Sequence, residues 1–559
     1  MASIREYKYI DNYYKLYQEG KILLNQDRID LLNYLERDVF SRDDIWLDTE
    51  KIEDCINFAE TNFFPLADFQ KFIICFVFLM VKEDGYDRLF YDSFFLTMAR
   101  GSGKNGLISV LAAYFISPFY DVRQYDVSIV ANSEDQAKVS FEEIYNMMER
   151  DWDYWKLFFY KTKVEIRGND NNSTIRYRTS NADTKDGLRD GMVTFDEIHQ
   201  YETNDQLEVF ESGLGKVSFS RVFYIGTNGF IRDGVYDQKM EIAKGILSGE
   251  DKYTRMFPFI CTLDSLDEMD EEIDGEFVNW EKANPMYSRP RTPYASEHYS
   301  KTKRRYYGIA NGQTDKVKFT IKNMNTLLED TNHTAVPREE LVAATRSYPE
   351  DTSQFSCIGG CDFAQSRDFT ACGVLFMDSN EEYIWKHHSF VNANFLREFH
   401  LKAPIADWER QGLLTIVDEP LIHADHIVNW YKDIREENPE LKTIVIDKHK
   451  LNTLRLPLEE AGFEVIYIQN PRARLSMVSD KVDRVFANKE IAWGDDFMMR
   501  WYTNNVYVTY DKQGNKIYEK KEEKRRKTDG FMALLYAFSY ADTNLHVPTD
   551  LSLLSQLRF

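Results

Sequence analysis

FFLTMARGSGKN, at residues 94–105, joins an apolar segment to a short glycine-rich loop. The segment 94–98 has the composition of a buried strand. The loop consists of Arg100, Gly101, Ser102, Gly103, Lys104 and Asn105. Two glycines let the backbone N–H groups turn toward phosphate oxygens, and Lys104 would reach the β- and γ-phosphates of a nucleotide. A tight strand-to-helix turn without a ligand is the alternative.

The loop departs from a complete phosphate-binding motif at two positions. Met98 stands where that motif has its first Gly, and Asn105 stands where it has a Ser or Thr that binds Mg²⁺. The loop alone therefore does not establish a phosphate-binding site, and further evidence must come from elsewhere in the sequence.

Adjacent acids supply that support in VTFDEIH, at residues 193–199. After an apolar strand, Asp196 would hold Mg²⁺ and Glu197 would orient or deprotonate the attacking water, as phosphoryl transfer requires. A solvated loop after a strand is the alternative. Together with the upstream loop, the acid pair favours nucleotide hydrolysis.

Two further positions fit a nucleotide site. Gln70 precedes the loop by one helix and is a candidate to hydrogen-bond adenine, although an isolated Gln is more often a surface residue. Thr227 and Asn228 follow the apolar segment 221–225 and would lie beside the acid pair, where they could sense the γ-phosphate.

Alternation of strand and helix patterns predicts the fold of this region. Strand-like segments occur at residues 94–98, 127–131, 174–179, 192–195 and 221–225, with helical patterns between them. This order predicts a mostly parallel sheet with helices on its faces. We predict four parts: a helical cap at 1–62, a nucleotide-binding core at 63–248, a connecting subdomain at 249–352 and a mixed α/β domain at 353–559.

Three aspartates in the last part suggest a second site. Asp362 ends the strand-like segment 357–361, Asp447 ends the apolar segment 443–446, and Asp529 opens the last long helix. If the two strands are neighbours, the three carboxylates can hold two divalent cations about 4 Å apart, and oxygen ligands favour Mg²⁺ or Mn²⁺. Simple capping of strand and helix ends is the alternative for each residue.

Composition limits the remaining possibilities. The chain has 559 residues, a net charge of -23 and six scattered cysteines, which we expect to be reduced core residues. Its longest apolar run, 72–81, is far shorter than the roughly 20 residues of a membrane span. The charged N-terminus predicts a cytoplasmic protein. Because the chain is acidic, any contact with DNA must be local, with candidate basic patches at 301–305, 472–474 and 520–527. A solvated charged face is the alternative for each patch.

The residues resemble the large terminase subunits of tailed bacteriophages over nearly the whole chain. The similarity is carried by the loop at 100–105 and the segments at 131–137, 186–188, 196–199, 280–285, 361–364, 445–447 and 527–530. It implies an N-terminal P-loop ATPase of the ASCE class and a C-terminal RNase H-like nuclease.

Site residues follow from the resemblance. It implies that Arg100 and Lys104 contact ATP, that Asp196 binds Mg²⁺, and that Glu197 is the catalytic carboxylate. It places the coupling motif at Thr227 and Asn228 and the nuclease ligands at Asp362, Asp447 and Asp529. Asp368 is an alternative or auxiliary ligand, and direct binding of Mg²⁺ by Asn105 is left open.

The function implied is ATP-driven translocation of double-stranded DNA into a procapsid, with metal-dependent cleavage of concatemers. The implied partners are the portal protein, a small terminase subunit and further copies of the chain in a ring on the portal. The state in solution, monomer or oligomer, is left open. A trans-acting arginine is expected, but Arg221 and Arg232 are only guesses. The protein would act in the host cytoplasm and not be part of the mature virion.

Two other functions remain compatible with the sequence. One is a helicase-like or remodelling ATPase whose C-terminal domain only binds DNA. The other is a non-catalytic structural protein with decayed sites.

Overall fold

A computed structural model describes residues 4–179, 188–201, 203–229, 234–327, 334–366, 368–398, 401, 403–448, 451–511, 513–520 and 526–547. The chain forms two compact units, Met1–Leu328 and Glu329–Phe559. Within the described residues, no helix combines the length and the apolar character that crossing a membrane requires. All six cysteines are buried and free, as expected.

Helices and strands alternate through the first unit. Its strands are β1 (Ile45–Leu47), β2 (Leu79–Glu83), β3 (Tyr86–Leu89), β4 (Ser93–Thr97), β5 (Asp126–Ala131), β6 (Phe159–Lys161), β7 (Ile166–Gly168), β8 (Thr174–Thr179), β9 (Asp190–Phe195), β10 (Arg221–Gly226) and β11 (Met256–Ile260). Its helices are α1 (Lys8–Gln18), α2 (Gln26–Tyr34), α3 (Thr49–Asn62), α4 (Asp68–Val77), α5 (Lys104–Phe115), α6 (Glu134–Glu149), α7 (Trp152–Trp155), α8 (Asp205–Glu211), α9 (Val235–Ser248), α10 (Trp280–Ala283), α11 (Pro293–Tyr307) and α12 (Lys316–Asn323).

An eight-stranded sheet in the order β11-β4-β10-β9-β5-β8-β7-β6 forms the centre of this unit. The pairings from β11 to β8 are parallel, and the pairings of β7 with β8 and with β6 are antiparallel. All five predicted strands are present, so the prediction of a mostly parallel α/β sheet is confirmed. Because β4, β10 and β9 are parallel neighbours, their C-terminal ends lie on the same side of the sheet, and the loops that follow them lie close together.

The predicted cap at 1–62 and the predicted connecting subdomain at 249–352 do not form separate compact units. Helices of residues 1–62 contribute Ile10, Leu31 and Ile52 to the same hydrophobic core as the sheet. The segment predicted to connect the two halves, 249–352, is divided between the units: β11 and α10–α12 belong to the first, and residues from 334 onward belong to the second. β11 pairs only with β4, at the edge of the sheet, where its Pro258 costs no ladder hydrogen bond.

Arg221 lies inside the first unit, at the start of β10. It is 2% exposed, and its guanidinium donates to the carbonyl oxygens of Val77 and Phe219 and to the hydroxyl of Tyr125. A trans-acting arginine must reach a neighbouring subunit, so the burial of Arg221 argues against that role. Arg232, the other guess, lies outside the described residues.

A seven-stranded sheet and a two-stranded hairpin form the second unit. Its strands are β12 (Ser356–Asp362), β13 (Thr370–Met377), β14 (Tyr383–Asn392), β15 (Leu414–Val417), β16 (Thr443–Asp447), β17 (Glu464–Ile468), β18 (Ile491–Ala492), β19 (Val506–Tyr510) and β20 (Lys516–Lys520). Its helices are α13 (Arg338–Ala343), α14 (Ala393–Glu398), α15 (Ile405–Arg410), α16 (Ala424–Glu437), α17 (Leu451–Glu460), α18 (Pro471–Ala487), α19 (Phe497–Asn504), α20 (Asp529–Phe538) and α21 (Ala541–Asn544).

The large sheet has the order β15-β14-β13-β12-β16-β17, with β18 beside β14. β12, β13 and β14 are antiparallel neighbours, whereas β16 is parallel to β12 and to β17. The predicted mixed α/β domain is therefore confirmed.

Glycine in β12 lets α20 lie directly on the sheet. A Cβ atom at Gly360 would stand 2.2 Å from the carbonyl oxygen of Ala533, a distance that no side chain could tolerate. The close approach brings the N-terminus of α20, and with it Asp529, to the end of β12 that carries Asp362.

Candidate ATPase and nuclease sites

The glycine-rich loop lies between β4 and α5, as the sequence predicts. Gly101 and Gly103 have φ values of +75° and +76°, in the left-handed region that only glycine adopts without strain. Gly103 is the N-cap of α5, so the unpaired N–H groups of the first helical turn open toward the loop. The two glycines are therefore required by the backbone, as expected.

The side chain of Lys104 is enclosed by the preceding residues of its own loop. Its Nζ donates to the carbonyl oxygens of Met98 at 2.5 Å and Ala99 at 3.1 Å, and lies 3.3 Å from Oγ of Ser102. Burial lowers the pKa of Lys104 to about 8, although the nearby Glu197 and Asp196 carboxylates oppose this shift. A phosphate would offer this ammonium group anionic ligands in place of neutral carbonyl groups.

Asp196 and Asn105 meet at the end of β9. Nδ2 of Asn105 donates to Oδ2 of Asp196 at 2.8 Å, and the N–H of Glu197 donates to Oδ1 at 2.8 Å. Burial, followed by the charge of Glu197, raises the pKa of Asp196 to about 6. A divalent cation would offset both the burial of the Asp196 carboxylate and its repulsion by Glu197. The carboxylate of Asp196 and the amide oxygen of Asn105 are oxygen ligands that suit such a cation.

Glu197 is held in a strained conformation next to the residues that follow β10, Thr227 and Asn228. We call these two residues the coupling loop, after the role that the resemblance implies for them. Its φ is +52°, in the left-handed region that is unfavourable for a residue with a side chain. Its Oε2 accepts no aligned hydrogen bond and lies 3.2 Å from Nδ1 of His199. A Cβ atom at Gly226 would stand 3.4 Å from Cα of Glu197, so the end of β10 and the buried Thr227 and Asn228 lie beside the acid pair, as predicted.

A cavity of about 770 Å³ opens beside the loop. It is lined by Phe64, Gln70, Met286, Tyr294 and the loop itself. Gln70 is 1% exposed; its Nε2 donates to the carbonyl oxygen of Gly103 at 3.3 Å and its Oε1 accepts from the N–H of Ala67 at 3.0 Å. The amide therefore supports the loop as well as lining the cavity, whose volume suits a small ligand.

The second site lies at the C-terminal ends of two interior strands of the second sheet, β12 and β16. Cys361 of β12 is the register partner of Ile446 of β16, so the next residues, Asp362 and Asp447, end adjacent strands side by side. Burial, followed by the charges of Asp362, Asp447 and Asp529, raises the pKa of the Tyr536 hydroxyl. All three carboxylates therefore lie within electrostatic range of one buried group.

Asp368 joins this group together with two lysines. It lies 2.8 Å from Nζ of Lys520 and 2.9 Å from Nζ of Lys527. Burial raises the pKa of Asp368, but the two ammonium groups outweigh it and the net shift is downward. Burial, with Asp368 and Asp362, raises the pKa of Asp529. Residues 521–525 of this basic run lie outside the described residues.

Divalent cations fit the carboxylates chemically. Among the described side chains, no three carboxylate, imidazole or thiol groups already stand at metal-binding distances from one point. However, Oδ2 of Asp529 is buried and has no hydrogen-bond partner in a residue that is 3% exposed. A buried carboxylate oxygen of this kind is costly unless a cation or a donor satisfies it.

Two family models match the chain in this order. The terminase large subunit ATPase domain matches residues 68–245, and the terminase large subunit endonuclease domain matches residues 250–544. The chain belongs to the terminase large subunit family. It is therefore an ATPase and an endonuclease, and the resemblance seen in the sequence is confirmed.

Individual relatives are distant from this terminase chain. The terminase large subunit of Lactococcus phage p2 is 22% identical over 487 residues, covering 83% of this chain and 84% of that protein. That of Lactococcus phage SK1 is 22% identical over 480 residues, with the same coverage. The crystal structure of the HK97 bacteriophage large terminase is 17% identical, covers 88% of this chain and 99% of that chain, and has a TM-score of 0.46.

Sequence reasoning missed several residues of the ATPase site. Lys322 and Asn325 contact the coupling loop, and Asn284 donates to the carbonyl oxygen of Arg100 at 3.1 Å. Asn284 belongs to the segment 280–285, which carried the resemblance without a role for each residue. No local pattern marks Lys322 or Asn325. Of the motif at 186–188, only Leu188 lies within the described residues.

Proposed function

We propose that this terminase hydrolyses ATP to drive double-stranded DNA into a procapsid and cuts concatemeric DNA at a separate metal-dependent site. The observation that carries the proposal is the presence of two acid-containing sites in two separate compact units of one chain. One site combines a phosphate-binding loop with an acid pair, and the other gathers strand-end and helix-end aspartates.

ATP hydrolysis is assigned to the first unit. Loop N–H groups, Arg100 and Lys104 hold the phosphates, and the cavity beside Gln70 receives adenine. A bound Mg²⁺ ion would neutralise phosphate charge. Asp196 would hold that ion, with Asn105 beside it, and the positioned carboxylate of Glu197 would orient the attacking water. Thr227 and Asn228 would respond to the γ-phosphate.

DNA cleavage is assigned to the second unit. Asp362, Asp447 and Asp529 would hold two Mg²⁺ or Mn²⁺ ions, which would activate water and stabilise the leaving oxygen. Asp368 would balance the charge of Lys520 and Lys527 beside them. The burial of Asp529 and the side-by-side positions of Asp362 and Asp447 support this assignment.

The proposed partners are double-stranded DNA, the portal protein of the procapsid, a small terminase subunit and further copies of the chain in a ring on the portal. The site of action is the cytoplasm of the infected host. For the domains we propose a helical cap at 1–62, an ATPase core at 63–248, a connecting subdomain at 249–352 and a nuclease domain at 353–559.

A packaging reaction with purified procapsids tests this function. The full chain should protect added linear DNA from external nuclease only when ATP and Mg²⁺ are present. Lys104→Ala should abolish both protection and ATP hydrolysis while leaving Mn²⁺-dependent nicking of plasmid DNA intact. If the unaltered chain hydrolysed ATP but neither protected nor cut DNA, a helicase-like or remodelling ATPase would be the better account.

A further inference from the structure

Lys322 reaches the ATPase site from a part of the chain outside the matched ATPase model. It is the penultimate residue of α12, and the ATPase model ends at residue 245. Its backbone carbonyl oxygen accepts a hydrogen bond from the N–H of Arg100 at 2.9 Å. One residue thus contacts the phosphate-binding loop through its backbone and leaves its side chain for other groups.

The side chain of Lys322 contacts the other two motifs of the site. Its Nζ lies 2.5 Å from Nε2 of His199, 3.3 Å from Oγ1 of Thr227 and 3.4 Å from the carbonyl oxygen of Asn228. An ammonium group has three donors and no acceptor, so these contacts engage its donors. Lys322 therefore links the coupling loop to the residue that follows the acid pair by two positions.

The contact with Lys322 determines which ring nitrogen of His199 carries the proton and faces Glu197. Because the ammonium group of Lys322 can only donate, Nε2 of His199 accepts, and a neutral imidazole then carries its proton on Nδ1. Nδ1 lies 3.2 Å from Oε2 of Glu197. The three groups thus lie in the order ammonium, imidazole and carboxylate: the ammonium group donates to Nε2, and Nδ1 lies beside Oε2 in a contact that is not aligned as a hydrogen bond.

His199 has little freedom to leave this arrangement. It is 5% exposed, and a Cβ atom at Gly229 would stand 2.6 Å from its Cδ2 and 2.7 Å from its Cβ. Asn325, three residues after Lys322, accepts from the N–H of Asn228 at 2.5 Å and donates to the carbonyl oxygen of Cys261 at 2.6 Å. The coupling loop is therefore held by the same segment that supplies Lys322.

We propose that Lys322 is a positioning residue for ATP hydrolysis, acting through His199 to fix the catalytic carboxylate of Glu197 and joining it to the coupling loop at Thr227 and Asn228. The inference rests on the proposed role of Glu197. It adds a fourth element to the site, supplied by α12, and it gives the His of the Asp196–His199 motif a role. Burial lowers the pKa of Lys322 to about 8, whereas the charge of Glu197 opposes this shift and favours the ammonium form.

Steady-state ATP hydrolysis by the full chain tests this role. Lys322→Met should lower kcat about 100-fold, the size expected when a catalytic group loses its orientation, while KM for ATP changes less than about threefold. Lys322→Arg, which keeps the charge and the donors, should recover at least about tenfold of that loss. Lys318→Met is the matched control, because Lys318 lies on the same helix with a side chain that is 70% exposed, and it should behave as the unaltered chain does.

A double variant separates positioning from simple support of α12. If Lys322 acts through His199, then combining Lys322→Met with His199→Gln should cost no more in kcat than the more damaging single change. Mn²⁺-dependent plasmid nicking by the same preparations should stay unchanged, and an unaltered unfolding temperature of the first unit shows that the variants are folded.

Three results would overturn the inference. They are an unaltered kcat in Lys322→Met, equal losses in the Met and Arg variants, and full additivity of the two changes in the double variant. A different failure would concern the proposed function itself: if Glu197→Gln kept full ATP hydrolysis, the assignment of the catalytic carboxylate would be wrong, and the role of Lys322 would fall with it.

Discussion

Asp362 and Asp447 end neighbouring parallel strands, each one residue beyond the register pair Cys361 and Ile446. Strand register therefore sets their separation, and neither side chain depends on a loop for its position. The third carboxylate, Asp529, arrives on a helix that lies directly against β12. The proposed nuclease site thus lies on strands and a helix, and its geometry depends on how closely α20 approaches the sheet.

Gly360→Ala should disrupt this approach. The added methyl group would stand 2.2 Å from the carbonyl oxygen of Ala533 and 3.0 Å from the N–H nitrogen of Ala537, so α20 would have to move away. We expect a loss of about 1–3 kcal/mol in the free energy of unfolding of the second unit and loss of plasmid cleavage, with ATP hydrolysis retained. Gly245→Ala in α9, where the nearest atom is 3.5 Å away, is the control. Full cleavage by Gly360→Ala would contradict the proposed packing.

Asp529 should link metal binding to stability. Its Oδ2 is buried without a partner, and burial with the neighbouring Asp368 and Asp362 raises its pKa. Mn²⁺ at about 100 times its Kd should raise the free energy of unfolding by about 2.7 kcal/mol through preferential binding to the folded state. Asp529→Asn should remove most of this gain, and chelation by EDTA should abolish cleavage. Calorimetry with and without Mn²⁺ measures the effect; an equal gain in the Asn variant would exclude Asp529 as a ligand.

Asp190 should make the first unit less stable as the pH rises. Burial raises its pKa to about 6 from a usual 3.8, and its Oδ2 has no hydrogen-bond partner. The folded state therefore holds this proton more tightly than the unfolded state, so stability is greatest below pH 4 for this group and is lost as the pH rises toward 6. Asp190→Asn should leave stability unchanged near pH 4 and raise it by about 1–2 kcal/mol at pH 7. Urea unfolding at both pH values checks this, and a lower stability of the Asn variant at pH 7 would contradict it.

Arg221 should contribute to stability and not to communication between subunits. Arg221→Met would remove the buried donor to the carbonyl oxygen of Val77 and to the hydroxyl of Tyr125, whereas the carbonyl oxygen of Phe219 would still accept from that hydroxyl. We expect a loss of about 1–3 kcal/mol in the free energy of unfolding. Arg88→Met, at a side chain that is 54% exposed, should cost less than about 1 kcal/mol. In mixed rings, Arg221→Met subunits that remain folded should not reduce the ATP hydrolysis of unaltered neighbours; such a reduction would support a trans-acting role after all.

Local sequence patterns were sufficient for much of this molecule. The loop at 100–105 and the acid pair at 196–197 are short segments whose chemistry can be read from the residue order, and the five central strands are short segments rich in apolar or β-branched residues. The strand-end position of Asp362 and Asp447 was also visible, although only their pairing register could place them side by side.

Long-range contacts account for what the sequence did not reveal. Lys322 looks like an ordinary charge on a helix until the fold brings it to His199, more than a hundred residues earlier in the chain. Asp368 meets Lys520 and Lys527 through a similar distance in sequence. β11 was missed because its Pro258 and the acidic, glycine-containing surroundings are typical of loops, whereas an edge strand tolerates that proline.

Two substitutions in the full chain test the central claim, that one polypeptide carries two chemically separate sites. Each variant is assayed for ATP hydrolysis and for Mn²⁺-dependent plasmid nicking, with the unaltered chain in parallel. Glu197→Gln should abolish hydrolysis and keep nicking, and Asp362→Asn should keep hydrolysis and abolish nicking. If either change removed both activities from protein that unfolds at the normal temperature, the account of two separate sites would be contradicted.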